Sequence, residues 1–242
     1  NMRRLLLLET PAPQAIRRLV ALSEAVHLGR TRVEDMEAVL IDRAGQAGQV
    51  WSQGWIPVIV DPQAESVTHI RPHVLIDATL AKRNTGMSMS LAPLTMALGP
   101  GFEAGADVHM VVETKRGHEL GRVISQGRAA PNTGLPGCIA GESGRRVLRA
   151  PRDGVLDKAL EIGSRVQAGD VVAVVSSCPV HAEISGVLRG MLRSQARVVQ
   201  GRKIGDIDPR GDRAYCTTIS DKAGALGGAV LEGILRVFNR PD

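Results

Sequence analysis

The chain is poor in aromatic residues: its 242 positions include two Phe, one Tyr and two Trp. That is too few to build stacking platforms for bases, and the basic residues are scattered rather than striped, so nucleic-acid binding is not expected. Cysteine is scarce too. Cys138, Cys178 and Cys216 form no CxxC pair, which leaves buried or incidental thiols rather than a disulfide framework. No apolar run approaches the roughly 18 residues needed to cross a bilayer. "LLLL" at 5–8 leads straight into "ETPAPQ" without a small-residue cleavage site. A cytoplasmic protein with no membrane partner is therefore expected. Lysine is confined to positions 82, 115, 158, 203 and 222. The net charge of +5 thus comes mostly from arginine, which suits planar recognition of phosphate or carboxylate.

What remains is enough for a sizeable core, in one large domain or two modest ones. Residues 1–98 read as alternating strands and helices. "RRLLLLE" (3–9), "EAVLID" (37–42), "IPVIVDP" (56–62) and "HVLIDAT" (73–79) are short apolar runs ending in an acid. "PQAIRRLVALSEAVHLG" (13–29) places Ile16, Leu19, Val20 and Val26 at helical spacing and stops at Gly29. Buried strands separated by helical stretches predict a parallel sheet in an α/β domain. Ligands then bind outside the carboxyl ends of the strands, where Glu9, Asp42, Asp61 and Asp77 would lie. The same acids also suit helix caps and turns. The strand, glycine-rich turn and helix that open a dinucleotide-binding domain are missing. The domain is therefore expected to be Rossmann-like without its first strand and Gly-rich loop. "LGPGFEAG" carries Gly99, Gly101 and Gly105 at a spacing that does not fit G-x-G-x-x-G and also suits a tight loop.

Residues 99–146 form a polar junction. In "DVHMVVETKRGHELGRVI", strand alternation puts His109, Val111 and Glu113 on one face, and Arg116-Gly117-His118 turns the chain. His109, Glu113 and His118 offer a His/Glu/His set suited to zinc or iron. However, four residues along a strand separate His109 from Glu113 by about 13 Å at roughly 3.3 Å per residue, which speaks against a shared metal. His118 beside Arg116 is a candidate acid or base. "PNTGLPG" (131–137) is a defined loop around Asn132 and Thr133.

Residues 147–212 write one pattern twice. Ala150 recurs as Ala182, Gly154-Val155-Leu156 as Gly186-Val187-Leu188, Val166 as Val198 and Gly169 as Gly201, always 32 residues apart. Period-two strands with tight turns, repeated twice, predict interlocked hairpin units related by a pseudo-twofold axis. The pattern resembles the biotinyl/lipoyl carrier fold, a β barrel-sandwich hybrid whose central hairpin presents a lysine. Here that lysine should fall near Pro179, yet none lies between Lys158 and Lys203. No biotin or lipoate attachment is expected. In "DIDPR", Asp206 and Asp208 face one side and Arg210 can pair with either. Residues 213–242 close the chain with a helix over 218–238, capped by Ser220 or Asp221. The glycines at 224, 227 and 228 are expected to permit close packing on the sheet domain.

Several stretches together carry a wider likeness. "ETPAPQAIRRLVALSEAV" (9–26), "IDATLAKRNTG" (76–86), "LGPGFEAGADVHMVVETKRGHELGRVI" (98–124), "PNTGLPG" (131–137), "KIGDIDPRGD" (203–212) and "ISDKAGALGGAVLEGIL" (219–235) occur in this order. In them the chain resembles the accessory protein of the selenium-dependent molybdenum hydroxylase system. The resemblance implies a maturation factor whose partners are the hydroxylase or its cofactor-handling proteins. It also implies an anionic ligand such as a molybdenum pterin or a nucleotide, with no cofactor fixed by the residues themselves. For such an anion the expected contacts are the amides of Gly99 to Gly101 and the side chains of Lys82, Arg83, Arg116 and Asn132, with Asp77, Asn84 and Thr133 beside them. A nucleotide-dependent oxidoreductase and a pure docking scaffold are the alternatives, and self-association is left open.

Overall fold

In the computed structural model, which describes residues 4–239, the chain forms two units. One joins the residues up to 64 with 135–218, and the other joins 65–134 with those from 219 on. Arg3, at the head of the first predicted strand, lies outside the described residues.

The first unit opens with a small α/β sheet. Its strands are β1 (Leu7–Glu9), β2 (Arg30–Val33), β3 (Met36–Ile41) and β4 (Ile56–Val60), in the order β1-β4-β3-β2. β1, β4 and β3 run parallel, and β2 returns antiparallel from β3. Helices α1 (Ala25–Leu28) and α2 (Ala47–Ser52) supply the crossovers. The continuous helix expected over 13–29 is not formed. The segment makes 3₁₀ turns at Arg18–Val20 and Leu22–Glu24, separated by an extended Ala21, and becomes α-helical at Ala25. Tertiary contact overrides helical spacing here. The Ile16 carbonyl accepts from Met191 N at 2.8 Å, and Arg18 Nε donates to Met191 O at 2.8 Å. The predicted stop at Gly29 is kept, with φ +75.

The second unit carries β5 (Val74–Asp77), β6 (Leu94–Leu98), β8 (Met110–Val112) and β9 (Val123–Ile124) in one sheet. β7 (Glu103–Ala104) and β10 (Gly127–Arg128) make a separate ladder, and α3 (Ser66–Ile70) precedes β5. β5, β6 and β8 are parallel. Every residue of β6, "LTMAL", is buried, so it needs a neighbour on each side. β5 is one of them. The expected single sheet over 1–98 is therefore divided, with Glu9 ending and Asp42 and Asp61 following strands of the first and Asp77 ending a strand of the second.

Helix α4 (Asp221–Phe238) packs Leu226 and Ala229, with Val230 and Ile234 beside them, against Leu94, Met96 and Val112. Ser220 caps it, accepting from Ala223 N at 3.3 Å. The expectation for its glycines is corrected. A Cβ on Gly224, Gly227 or Gly228 would meet nothing within 4 Å, whereas one on Gly233 would run into the Met96 thioether. The helical glycine in close contact with the sheet is Gly233, while Gly224, Gly227 and Gly228 lie off that face.

The repeat, back in the first unit, builds two antiparallel four-stranded sheets. They comprise β11 (Val147–Arg149), β12 (Gly154–Ala159), β13 (Arg165–Val166), β14 (Val171–Val175), β15 (Cys178–His181), β16 (Gly186–Met191), β17 (Arg197–Val198) and β18 (Lys203–Asp208). Their orders are β11-β18-β16-β13 and β15-β14-β12-β17. The halves exchange partners reciprocally. Gly169 N donates to Ala182 O and Gly201 N to Ala150 O, both at 2.8 Å. Gly163 N donates to Leu188 O and Gln195 N to Leu156 O, again both at 2.8 Å. Each bond becomes its partner when 32 is added to one residue and subtracted from the other. Leu156, Leu188, Val166, Val198, Val175 and Ile207 fill the shared core. Neither half could bury these side chains alone.

One hairpin of this module is closed and its counterpart is open. β14 and β15 are joined through Ser176 and Ser177, at φ +44 and +65. That turn lies slightly before Pro179, the position expected for a carrier lysine. The equivalent pair, β18 and β11, has no turn between its strands, because the chain enters at one and leaves from the other. Buried charges hold this open end. Asp206 accepts from Arg146, from Arg189 Nε at 2.9 Å and from Lys203 at 3.2 Å. Asp208 accepts from Arg189 Nη1 at 2.9 Å and from Arg210 Nε at 2.9 Å. Burial alone would raise both carboxyls. Lys203, Arg189 and Arg146 around Asp206, and Arg210 and Arg189 around Asp208, outweigh it and hold them below the usual carboxylate range.

Candidate functional site

The parallel strands β5, β6 and β8 end side by side, with Asp77 opposite Ala97 and Leu98 opposite Val112. Their following loops leave from one edge of the second unit. That edge is where an open α/β sheet binds ligands, and it gathers most of the residues singled out in the sequence.

The first loop is folded by its own polar groups. Asp77, buried at the strand end, accepts from Thr79 N at 2.9 Å and Thr79 Oγ1 at 2.7 Å. Thr85 Oγ1 reaches its other oxygen at 3.5 Å. Asn84 Oδ1 accepts from Gly86 N at 2.9 Å and Met87 N at 2.8 Å, and its amide donates to Met87 O. Asp77 and Asn84 thus shape the loop, leaving Lys82 and Arg83 exposed upon it. Lys82 has φ +63.

The second loop packs on the first. Gly101, at φ +109, lies so close to the Lys82–Arg83 peptide that a Cβ would stand 2.7 Å from Arg83 Cα. Gly99, at φ +87, faces Thr114 of the third loop, whose Oγ1 would lie 2.7 Å from an added Cβ. Gly99 N donates to Val112 O at 2.9 Å, so this glycine amide is spent on the sheet and the expected anion contact from it is not available. Glycine is required at both positions by left-handed backbone and close approach.

The third loop holds Glu113, 4% exposed. Its oxygens accept from Lys115 N at 2.7 Å and Ala130 N at 2.6 Å. Glu113 is a clamp between β8 and the segment after β10. His109 accepts through Nδ1 from Thr95 N at 3.0 Å and contacts Thr95 Oγ1 at 2.9 Å, whereas the His118 side chain is 90% exposed beside Glu119. The His/Glu/His set is therefore not assembled, and among the described residues no group of three His, Cys, Asp or Glu gathers as for a metal ion. Arg116 pairs with Asp221 at the start of α4, Nη2 to Oδ1 at 2.9 Å.

Asn132 accepts weakly from Gly134 N at 3.4 Å, and Thr133 is exposed next to it. Residues 131–134 belong to the second unit and 135–137 to the first. The sequence reading passed over Lys222. It is half-buried in the first turn of α4, and burial, reinforced by Arg116 and opposed by Glu113, lowers its pKa. Its only signal in the sequence is a lysine two residues past the Ser220 cap, the pattern of a solvated helix start.

The edge is thus electrostatically one-sided. Its two buried carboxylates are consumed by local amides and hydroxyls. Lys82, Arg83 and Lys115 make no ion pair among the described residues. What this arrangement offers chemically is cationic side chains on a backbone pinned from three directions.

The fold is that of a mixed α/β protein with parallel sheets and a C-terminal helix. Among curated proteins, the chain is 44% identical over 237 residues to the uncharacterized protein YqeB of Escherichia coli K12, matching 98% of this chain and 44% of that one. The chain therefore spans less than half the length of this relative. No protein-family model matches it. Among solved structures, an aspartoacylase family protein from Mesorhizobium loti matches 26% of this chain and 22% of its own at 20% identity, with a TM-score of 0.25. The ectoine utilization protein EutE (DoeB) from Ruegeria pomeroyi covers 84% of each chain at 12% identity, also at 0.25. At such scores these neighbours define neither fold nor activity. No helix among the described residues is long and apolar enough to cross a membrane.

Proposed function

We propose that this chain is an accessory factor in the maturation of a selenium-dependent molybdenum hydroxylase, and that the loops after β5, β6 and β8 bind an anionic cofactor or intermediate. The observation that carries the binding reading is the exposed Lys82-Arg83 pair on a loop buttressed by Gly101, with nearby carboxylates already engaged. Arginine and lysine on a fixed backbone suit the phosphate of a molybdenum pterin or nucleotide, and the held backbone limits the ordering cost of binding to the two side chains. The system itself is suggested by the ordered motifs from "ETPAPQAIRRLV" to "ISDKAGALGG". In the same reading the α/β parts are Rossmann-like. The reciprocal two-sheet module is a barrel-sandwich hybrid of the biotinyl/lipoyl type, kept as a scaffold without its lysine.

The test is loading of a cofactor-free hydroxylase with molybdenum pterin, with and without the protein, read as bound molybdenum and recovered turnover. The proposal expects faster or fuller loading, diminished by Lys82→Ala/Arg83→Ala. If loading is unchanged but the two proteins co-elute, a docking scaffold replaces the cofactor-handling role.

A further inference from the structure

Helix α4 is apolar on two opposite faces. Its inner face packs Leu226, Ala229 and Gly233 on the sheet. Helical periodicity puts Gly224, Gly228, Leu231, Leu235 and Phe238 in one stripe on the other side, with Gly227 at its margin. That stripe is bare. Leu231, Leu235 and Phe238 are 38%, 44% and 48% exposed, and a Cβ on any of the three glycines would meet nothing within 4 Å. A surface helix ordinarily turns charge outward. Here Glu232 and Arg236 stand to one side of the stripe and pair with each other.

The stripe runs from small to large. Glycine weakens an exposed helix, and nothing within the chain fills the room these three leave. The gradient is balanced about Leu231. Gly224 stands seven residues before it and Phe238 seven after, while Gly227 stands four before and Leu235 four after. A second α4 laid antiparallel on the first, Leu231 on Leu231, would therefore set each Phe238 over a Gly224 and each Leu235 beside Gly227 and Gly228. The missing Cβ atoms let the helices approach, and the large side chains fill the hollows. A parallel pair would set glycine on glycine and Phe238 on Phe238, leaving a gap at one end and a collision at the other. Phe238 is already held in place, its ring meeting that of His73 edge-on at 6.4 Å, which lowers the cost of ordering it in a contact.

We propose that the outer face of α4 is covered by α4 of a second copy of this chain, in an antiparallel two-fold dimer centred on Leu231. A two-fold contact needs a surface complementary to itself, and the size gradient supplies one. Charge is compatible with it. Glu232, next to the centre, would approach its twin across the axis, and each brings its own Arg236 as counter-charge. From Gly224 to Phe238 the stripe is about 21 Å long, and over a helix width of about 10 Å its footprint is roughly 200 Å² per copy. That is well under the roughly 800 Å² per partner of a standard interface, so association is reversible, with Kd on the order of 10–100 µM. The inference does not depend on anion binding at the loop edge.

The experiment is sedimentation equilibrium of the full chain from about 1 to 300 µM, a range that brackets this Kd. The mass should rise from one chain toward two. Leu235→Glu puts an unpaired charge into the contact and should weaken association about 100-fold. Gly228→Leu fills the hollow and should weaken it about tenfold or more. Leu235 is exposed and Gly228 faces open space, so circular dichroism of both variants should match wild type. Disulfide trapping reads the geometry, in a Cys138→Ser/Cys178→Ser background that removes the two cysteines not fully buried. Leu231→Cys should link two copies, because the axis passes beside it. Gly224→Cys should not, because its twin would lie about 21 Å away. The proposal is overturned by a single-chain mass across the whole range, which would leave the stripe to a different protein. It is overturned equally by unchanged association in Leu235→Glu, or by Gly224→Cys linking as readily as Leu231→Cys, the mark of a parallel pair.

Discussion

Substituting the paired glycines of the repeat tests its symmetry and its one asymmetry together. Gly154 and Gly186 occupy equivalent positions with φ +157 and +159, a region essentially closed to residues with a side chain. Alanine at either site costs about 1–3 kcal/mol in backbone strain. The surroundings then differ. A Cβ at Gly154 meets the Ser176 side chain, with Ser176 Cβ at 2.8 Å; the hydroxyl can rotate away at the cost of its bond from Val155 N, and the Cβ yields only if the Ser176–Ser177 turn shifts. A Cβ at Gly186 meets the Asp208 main chain, with its carbonyl carbon at 2.9 Å, and that backbone is anchored by buried Asp208. Overpacking against fixed atoms adds about 1–3 kcal/mol. Gly186→Ala should therefore cost about 2–6 kcal/mol and Gly154→Ala less, because a two-residue turn yields more readily than the anchored Asp208 main chain, read as midpoint shifts in urea at constant slope. Ser176→Gly should recover part of the Gly154→Ala loss, since it removes the obstacle at a residue whose own φ is +44. Equal costs, or a larger cost at Gly154, would refute the assignment of side-chain and main-chain obstacles.

Other perturbations have definite signs. Asp206→Asn should destabilise the first unit by about 3–5 kcal/mol, because Arg146 and Arg189 are left buried without full counter-charge; chemical denaturation measures it. Asp206 and Asp208 ionise at lower pH folded than unfolded, so their stabilisation is complete above the unfolded carboxylate pKa of about 4. It should fall as pH drops through that value toward the lower folded ones, and the decline should shrink in Asp206→Asn. In α4, Gly227→Ala and Gly228→Ala should each stabilise by about 0.5–1 kcal/mol, while Gly233→Ala should destabilise against Met96. Glu113→Gln keeps shape but offers one acceptor oxygen to two amides, so hydrogen exchange should quicken at Lys115 or at Ala130, whichever is left facing the side-chain NH2.

The legibility of the sequence followed the range of the interactions. The repeat was readable because its glycines and valines act locally, at turns and alternating strand positions, and most strand pairings recur at the same offset. The Ser220 cap was readable for the same reason. Strand partnership was not. Nothing within "HVLIDAT" says that its neighbour is "LTMAL" rather than "IPVIVDP", because parallel pairing is decided by which buried strand lacks a flank. The helix expected at 13–29 failed to a distant hydrogen bond at Met191. In the candidate site, the basic pair and its supporting Gly101 were visible as unusual residues. Glu113 had the look of a metal ligand and is a clamp, since its partner Ala130 lies 17 residues away. Helical glycines carried no label saying which one faces the sheet.

The most direct test is the affinity of the full chain for a molybdenum pterin nucleotide, measured by calorimetry for wild type and Lys82→Ala/Arg83→Ala. Both side chains are exposed, so folding should be undisturbed, which circular dichroism confirms. The account predicts a specific complex for wild type and a loss of about 10–100-fold in the double variant, from two charge-assisted contacts. No binding by wild type, or equal affinity in the two proteins, would contradict it.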